Sequence, residues 1–349
     1  MISGMKITAL RRADIPELSQ FLIGGFGVPA STTCFSHEVL GWKYFDGPGG
    51  PSEDSTCSLV ARLAGRIIGH IGLCPRQFIV SGNEETPVST MHAIDWLGSA
   101  AHSGSGALLM LQAFATCKTQ YAVGGSALAQ AVFPRLGFEQ KSNLAIFRKV
   151  LAPFHRLRTT DQGFFRKWAG TAKDLATVWR TRTRRPRQTV ELRPAPAFTK
   201  EIDCLLRQSS SRIVTSQRDH LLLNYFLRYP LSGVSGWTIH KSQQLIGFAL
   251  LKVTPDGRIL LGKIVDCWLN TEDPSCWQAA VAALIDRLRA LAADTVTCYA
   301  TTPNLHAALL WNGFINSGER NVYVRDKQQS LPRDLPFGFS MLEADLAIH

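Results

Sequence analysis

A chain of 349 residues, 45% hydrophobic with a mean hydropathy of +0.01, is long enough for two ordinary domains and too apolar to be disordered. No apolar run reaches bilayer-spanning length, and the N-terminal MISGMKITALRRADIPEL, broken by Arg11, Arg12 and Asp14, has no signal-peptide core. Eight scattered cysteines without a C-x-x-C pair argue against a disulfide scaffold or a zinc ribbon; the expectation is a cytoplasmic protein with reduced thiols and no metal site.

In chain order, residues 6–10 predict a short strand. A helix follows from Ala13-Asp14-Ile15-Pro16 to about Phe21, with Asp14 as its N-cap. Residues 24–51 read as a long connection carrying His37, Glu38, Trp42, Lys43, Tyr44 and the turn signal DGPGGP. Strands at 58–63 and 66–73 form a hairpin about Ala64-Gly65, and 77–80 continues the sheet. The stretch MHAIDWLGSAAHSGSGALLM then reads as a mostly buried strand to Leu97, a small-residue loop over 98–106 and a buried helix over 107–118. A strand at 121–123, a helix over 126–136 ending at Gly137 and a strand at 143–148 close this half.

The loop carries the chemistry. Gly104 and Gly106 have no Cβ, so a ligand can approach the backbone. Ser103 and Ser105 offer hydroxyls, and the first amides of the next helix have no intrahelical acceptor. Together they suit an anion such as a pyrophosphate. The same residues also suit an ordinary turn between two buried elements.

The order of elements recurs after the middle of the chain. Residues 190–193 match 8–11, Ile246-Gly247 matches Ile68-Gly69, and Val265-Asp266 matches Ile94-Asp95. Trp311-Asn312-Gly313-Phe314 matches Arg135-Leu136-Gly137-Phe138, and Tyr225-Phe226 in LLLNYFLRYP sits where Trp42-Lys43 sits in VLGWKYFDGP. The five offsets fall between 171 and 183 residues, as two copies of one α/β unit require. The divisions are 1–150, 151–187 and 188–349.

This unit resembles the GCN5-related N-acetyltransferase (GNAT) superfamily, through Ile94-Asp95-Trp96, the loop His102-Ser103-Gly104-Ser105-Gly106 and the turn Leu136-Gly137-Phe138. The paired aromatic-basic segments also resemble those of tandem-GNAT proteins associated with exopolysaccharide and exosortase gene clusters. The resemblance implies an α/β fold of two GNAT-like units, each a mixed, mostly antiparallel sheet flanked by helices. It implies that acetyl-CoA or another acyl-CoA lies between two splayed strands, held by Leu97, Gly98, His102, Ser103, Gly104, Ser105, Gly106 and Ala107, with Ser126 where the family often has Asn. The acceptor is then an amine of a small molecule, an amino sugar or a peptide. The sequence departs from the pattern at three places. Ala101 takes the loop's Gln/Arg position, and Phe133 and Leu309 stand where each copy would carry an acid Tyr. The second copy's WLNTEDPSCWQAAVAAL has no glycine, and Pro274 has no N–H for a phosphate. That copy therefore reads as structural or acceptor-shaping. Two functions follow: an acyltransferase using the first copy, or a catalytically silent GNAT-fold binding or scaffold protein, in polysaccharide biosynthesis if the narrower resemblance holds.

Asp95, Glu38 and His37 are the candidate bases, and Trp42 and Tyr44 the candidate acceptor-pocket residues. Strict strand alternation would put His92 and Asp95 on opposite faces. Residues 155–188 hold eight Arg and two Lys against two Asp, a net +8 of the chain's +11. Phe164, Phe165, Trp168, Leu175 and Trp179 interleave with these charges. The segment suits either a bridge between the halves or an interfacial helix on an anionic membrane. Nucleic acid ranks last, since no recognised motif accompanies the arginines.

Overall fold

The structure is a computed structural model that describes residues 4–48, 50–51, 57–82, 86–154, 170–172, 174–176, 178–179, 186–209, 211–231 and 233–344. Phe164, Phe165 and Trp168 lie outside the described residues; of the same segment, Leu175 and Trp179 are exposed.

The first half begins with β1 (Lys6–Ala9) and α1 (Ile15–Phe26). Helix α1 has Pro in its first turn and stops at left-handed Gly27; Ile15, Leu18 and Leu22 bury one stripe. The predicted connection contains a helix, α2 (His37–Phe45), capped by the Ser36 hydroxyl on the Val39 amide. Its content of Val, Trp, Tyr and Phe hid it from a propensity argument, and burial of every residue from Val39 to Phe45 holds it in place. After the short pair β2 (Asp46–Gly47) and β3 (Gly50–Pro51) come β4 (Ser58–Leu63), β5 (Arg66–Val80), β6 (Val88–Gly98), α3 (Ser105–Thr116), β7 (Thr119–Val123), α4 (Ala127–Val132) and β8 (Glu139–Val150).

The second half runs β9 (Glu191–Ala195), β10 (Val214–Ser216), α5 (His220–Leu227), β11 (Val234–Lys241), β12 (Gln244–Asp256), β13 (Ile259–Leu269), α6 (Pro274–Ala290), β14 (Thr295–Ala300), α7 (Pro303–Trp311) and β15 (Ile315–Asp326). It repeats the first half's order from α5 onward, with a 3-10 turn (Lys200–Cys204) in the place of α1.

One 13-stranded sheet runs through the molecule in the order β1-β4-β5-β6-β7-β15-β8-β14-β13-β12-β11-β9, with β10 on β5. Neighbours are antiparallel except β6–β7 and β13–β14. The expectation that each half closes on its own last strand is not what forms. Strand β8 pairs with β14 of the second half, and β15 enters beside β7 of the first. The two exchanged strands also pair with each other, so the seam presents no unpaired edge. One face of the sheet packs on α3 and the 3-10 turn after α4 (Leu109, Met110, Phe133) and on α6 and α7 (Trp277, Leu284, Leu309). The other packs on α1 and α2 and on α5 with the C-terminal segment (Phe337, Phe339, Leu342). Each fully buried Leu or Phe here contributes about 1.5–3 kcal/mol relative to exposure.

Candidate active site

Strands β6 and β7 are paired only at Thr90–Thr119, Met91–Gln120 and His92–Tyr121. Beyond His92, β6 runs on to Gly98 against β5 alone, and among the described residues no bridge spans the gap that opens toward β7. The gap ends at the small-residue loop. Gly98 packs so closely on the start of α3 that a Cβ there would stand 2.7 Å from the Gly106 amide nitrogen. Gly104 is the residue before α3, left-handed at φ +91°, with open space beside it. Ser103, Gly104 and Ala107 are exposed, and Leu97, Gly98, His102 and Gly106 half-buried. Ser105 is turned inward, its hydroxyl donating to the Ile68 carbonyl at 3.2 Å, so it pins the loop to β5. Trp96 Nε1 donates to the Gly106 carbonyl at 2.8 Å. The mouth is thus the N-terminal turn of a 12-residue helix with no side-chain cap; the Ser105 amide donates to the His102 carbonyl at 3.2 Å, and the Gly106 and Ala107 amides that follow it have no backbone acceptor among the described residues.

Asp95 has φ +48°, unusual for a residue other than Gly. It marks a bulge, because His70 pairs with Leu97 and Gly72 with Ile94, leaving two β6 residues opposite Ile71. The bulge resets the alternation, and the expectation from strict alternation fails. His92 stacks on Tyr121, and Asp95 bonds to α2 on the same face of the sheet. The Asp95 carboxylate accepts from Lys43 Nζ at 3.0 Å and from the Tyr44 hydroxyl at 2.5 Å, all three residues being buried. His70 Nδ1 meets the Asp95 carbonyl at 2.9 Å and its Nε2 meets Ser58 Oγ at 2.7 Å. A carbonyl can only accept, so Nδ1 carries the proton and Nε2 accepts from Ser58. Burial pushes His70 down to about 4, keeping it neutral. Burial likewise drives His92 well below its ordinary value, with Arg76 adding to the effect.

The other sequence candidates separate. His37 and Glu38 are exposed in the first turn of α2. Trp42 and Tyr44 are inside the protein, at 7% and 0% exposure. Trp42 stacks on Tyr225 with ring centroids 4.3 Å apart; its Nε1 donates to the Tyr225 carbonyl and the Tyr225 hydroxyl donates to the Trp42 carbonyl, both at 3.2 Å. The two segments matched in the sequence therefore meet each other across the seam. Ser126 caps α4 by accepting from the Ala129 amide at 3.2 Å. Phe133 is buried against Trp96, Phe138 and Tyr323. Sequence reasoning missed the roles of His70, Ser58 and Tyr323; Tyr323 lies on a strand that reaches this half only through the exchange.

The matching gap of the second half is built differently. Strands β13 and β14 pair from Leu261–Thr295 to Ile264–Cys298 and then part. Here the chain's own C-terminal segment enters: Ser340 bridges to Ala300, and the Thr301 amide and hydroxyl bond to the Phe339 backbone. Asp266 holds Arg218 at 2.7 Å, and Arg218 reaches Glu343 at 2.8 Å, all three buried. Ser216 also bonds to Glu343. At the start of α6, Asp273 caps the Ser275 amide, and that hydrogen bonding takes its carboxyl down to about 2. A fixed negative charge therefore occupies the place where an anion would bind. Trp277 is buried with its Nε1 on the Thr271 carbonyl, filling the mouth.

Comparison of the whole fold places these gaps among known architectures. A GCN5-related N-acetyltransferase from Anabaena variabilis superposes with a TM-score of 0.60 at 12% identity, over 92% of this chain and 72% of that one. Saccharomyces cerevisiae N-myristoyltransferase with bound myristoyl-CoA superposes with a TM-score of 0.60 at 12% identity, over 93% and 83%. Eis1 from Mycobacterium abscessus gives 0.51 at 13% identity, over 92% and 73%. No family model matches the sequence, and no curated protein matches it significantly. The fold is that of the GNAT acyltransferases, as the sequence resemblance implies. No helix among the described residues is long and apolar enough to cross a membrane, and among them no group of His, Cys, Asp and Glu could hold a metal ion.

Proposed function

We propose that the protein is an acyl-CoA-dependent N-acyltransferase built from two GNAT-like units, with the co-substrate in the first unit only. The observation that carries this reading is the contrast between the two gaps: β6–β7 is open among the described residues and ends at an uncapped helix, whereas β13–β14 is occupied by the chain itself. Acyl-CoA then lies with its pyrophosphate on the amides of Gly106 and Ala107, the Ser105 amide being held by the His102 carbonyl, and its thioester beside the Asp95 bulge. The reaction forms a C–N bond between the acceptor amine and the thioester carbonyl and breaks the C–S bond; the amine gives up a proton, and the departing thiolate takes one up.

Asp95 acts in this reading as a positioning residue, because Lys43 and Tyr44 hold its carboxylate. His37 and Glu38, exposed where α2 begins, remain the base candidates, and water serves as the acid where Phe133 has no proton to give. Residues 1–150 form the co-substrate unit, 151–187 the connection and 188–349 the supporting unit.

Calorimetry with acetyl-CoA and longer acyl-CoAs tests the placement. Binding with one site per chain is expected, and Gly104→Val should abolish it, since the new side chain enters the mouth from a left-handed backbone. Unchanged affinity in that variant overturns the placement. A silent binding protein would bind the co-substrate and release no thiol with any amine.

A further inference from the structure

The register brings together a group of side chains that the reading above does not use. Cys74 pairs with His92, and His92 with Tyr121, so these three form a row across β5, β6 and β7 on one face. Arg76 pairs with Thr90 in the adjacent row on that same face, two residues behind the gap on the side where β6 and β7 are still paired, so it serves the gap by the reach of its long side chain. Tyr121 is the last β7 residue paired with β6, so it stands where the gap begins. It is 0% exposed and wedged among Phe78, His92 and Phe339. Its hydroxyl finds no hydrogen-bond partner among the described residues.

A buried hydroxyl without a partner is costly, and a ligand oxygen would satisfy it. Arg76 is the matching cation. It is half-buried and makes no ion pair among the described residues; its one hydrogen bond goes to the neighbouring Pro75 carbonyl, and its guanidinium lies over the Phe226 ring at 5.6 Å. The other buried charges around it are satisfied: Lys43 with Asp95, and Arg218 with Asp266 and Glu343. Its planar fork suits a carboxylate, and the aromatic ring beneath fixes the plane.

Resting on the acyl-transfer reading, we infer that Arg76 and Tyr121 form a carboxylate-binding subsite at the root of the β6–β7 gap, so that one co-substrate carries a carboxylate. The carboxylate belongs to the amine acceptor, as in an amino acid or short peptide, or to the acyl group, as in a dicarboxylic acyl-CoA. Neutral His92 beside Tyr121 adds no competing charge.

Thermal melts with succinate, with glycylglycine and with glycylglycinamide, at matched ionic strength, read the subsite without any turnover. The two carboxylates should raise the melting temperature by a few degrees and the amide should not. Arg76→Gln should abolish the rise and Arg76→Lys should reduce it. Tyr121→Phe removes only an unpartnered hydroxyl, so it should melt no lower than the parent and yet lose the response; it carries the test if the Arg76 variants fold poorly. Carboxylates that leave the parent melt unmoved, or that stabilise parent and variants alike, overturn the subsite.

Thiol release then names the source. A preference for glycylglycine over its amide that collapses in Arg76→Gln assigns the carboxylate to the acceptor, and a preference for succinyl-CoA over acetyl-CoA that collapses there assigns it to the donor. A melting response without thiol release from any combination keeps the subsite and overturns the acyl-transfer reading.

Discussion

The gaps β6–β7 and β13–β14 are built from the same elements and end up opposite in character. Each opens after a short parallel pairing, and each has an Asp on its first strand salt-bridged to a cation from the segment leading into or forming the facing helix: Asp95 with Lys43, Asp266 with Arg218. The difference lies in three local choices. Gly104 precedes α3 where Asp273 caps α6, glycine packing replaces Trp277 at the mouth, and residues 339–340 bond to the strand edge of the second gap, whereas Phe339 only packs its ring on Tyr121 at the root of the first. The two halves thus share a framework, while one of them fills its opening with its own chain.

The sharpest way to break the comparison is to remove the anchor of the filled gap. Arg218→Ala leaves Asp266 and Glu343 buried together, which should cost about 3–5 kcal/mol in urea unfolding. A loss below 1 kcal/mol would mean that the C-terminal segment is held by its phenylalanines alone.

Acid should act next, through the open side. The folded pKa of His70 lies near 4, below the unfolded value near 6.5, so the unfolded chain takes a proton that the native state refuses. Stability should therefore be complete above about pH 6.5 and fall by about 2 kcal/mol at pH 5 and about 3 near pH 4, at roughly 1.4 kcal/mol per pH unit. Urea midpoints that stay flat from pH 7 to 5 would show that His70 is not held neutral.

The helix starts give the third contrast. Asp273→Ala should lower the urea midpoint slightly as a lost cap and leave acyl-CoA affinity as it was. Gly104→Val should destabilise by about 1–2 kcal/mol through its left-handed backbone and remove acyl-CoA binding. Reversal of the two affinity results would exchange the roles of the copies.

The smallest expected effect lies at the seam. A double-mutant cycle on Trp42 and Tyr225, each to Leu, should return a coupling of about 0.5–1.5 kcal/mol for the stacked pair. Coupling near zero would make that contact incidental.

The sequence by itself determined the order of elements, the hairpins and the small-residue loop, because those depend on residues close in the chain: Ala64-Gly65 at a turn, Gly137 and Gly313 ending helical segments, Pro274 opening α6. The offsets between the halves were legible for the same reason. Tertiary structure decided the rest. Helix α2 exists because its Trp, Tyr and Phe are buried, against their propensity. The Asp95 bulge overrides the period-two rule because Lys43, Tyr44 and His70 pull on one residue from separate elements. The exchange of β8 and β15 and the entry of residues 337–340 join segments far apart in the chain, whose pairing energy no local pattern records. Arg76 and Tyr121 read in the sequence as an ordinary strand arginine and strand tyrosine; only the register of three strands sets them on one face in neighbouring rows, one without a counter-ion and the other without a hydrogen-bond partner among the described residues.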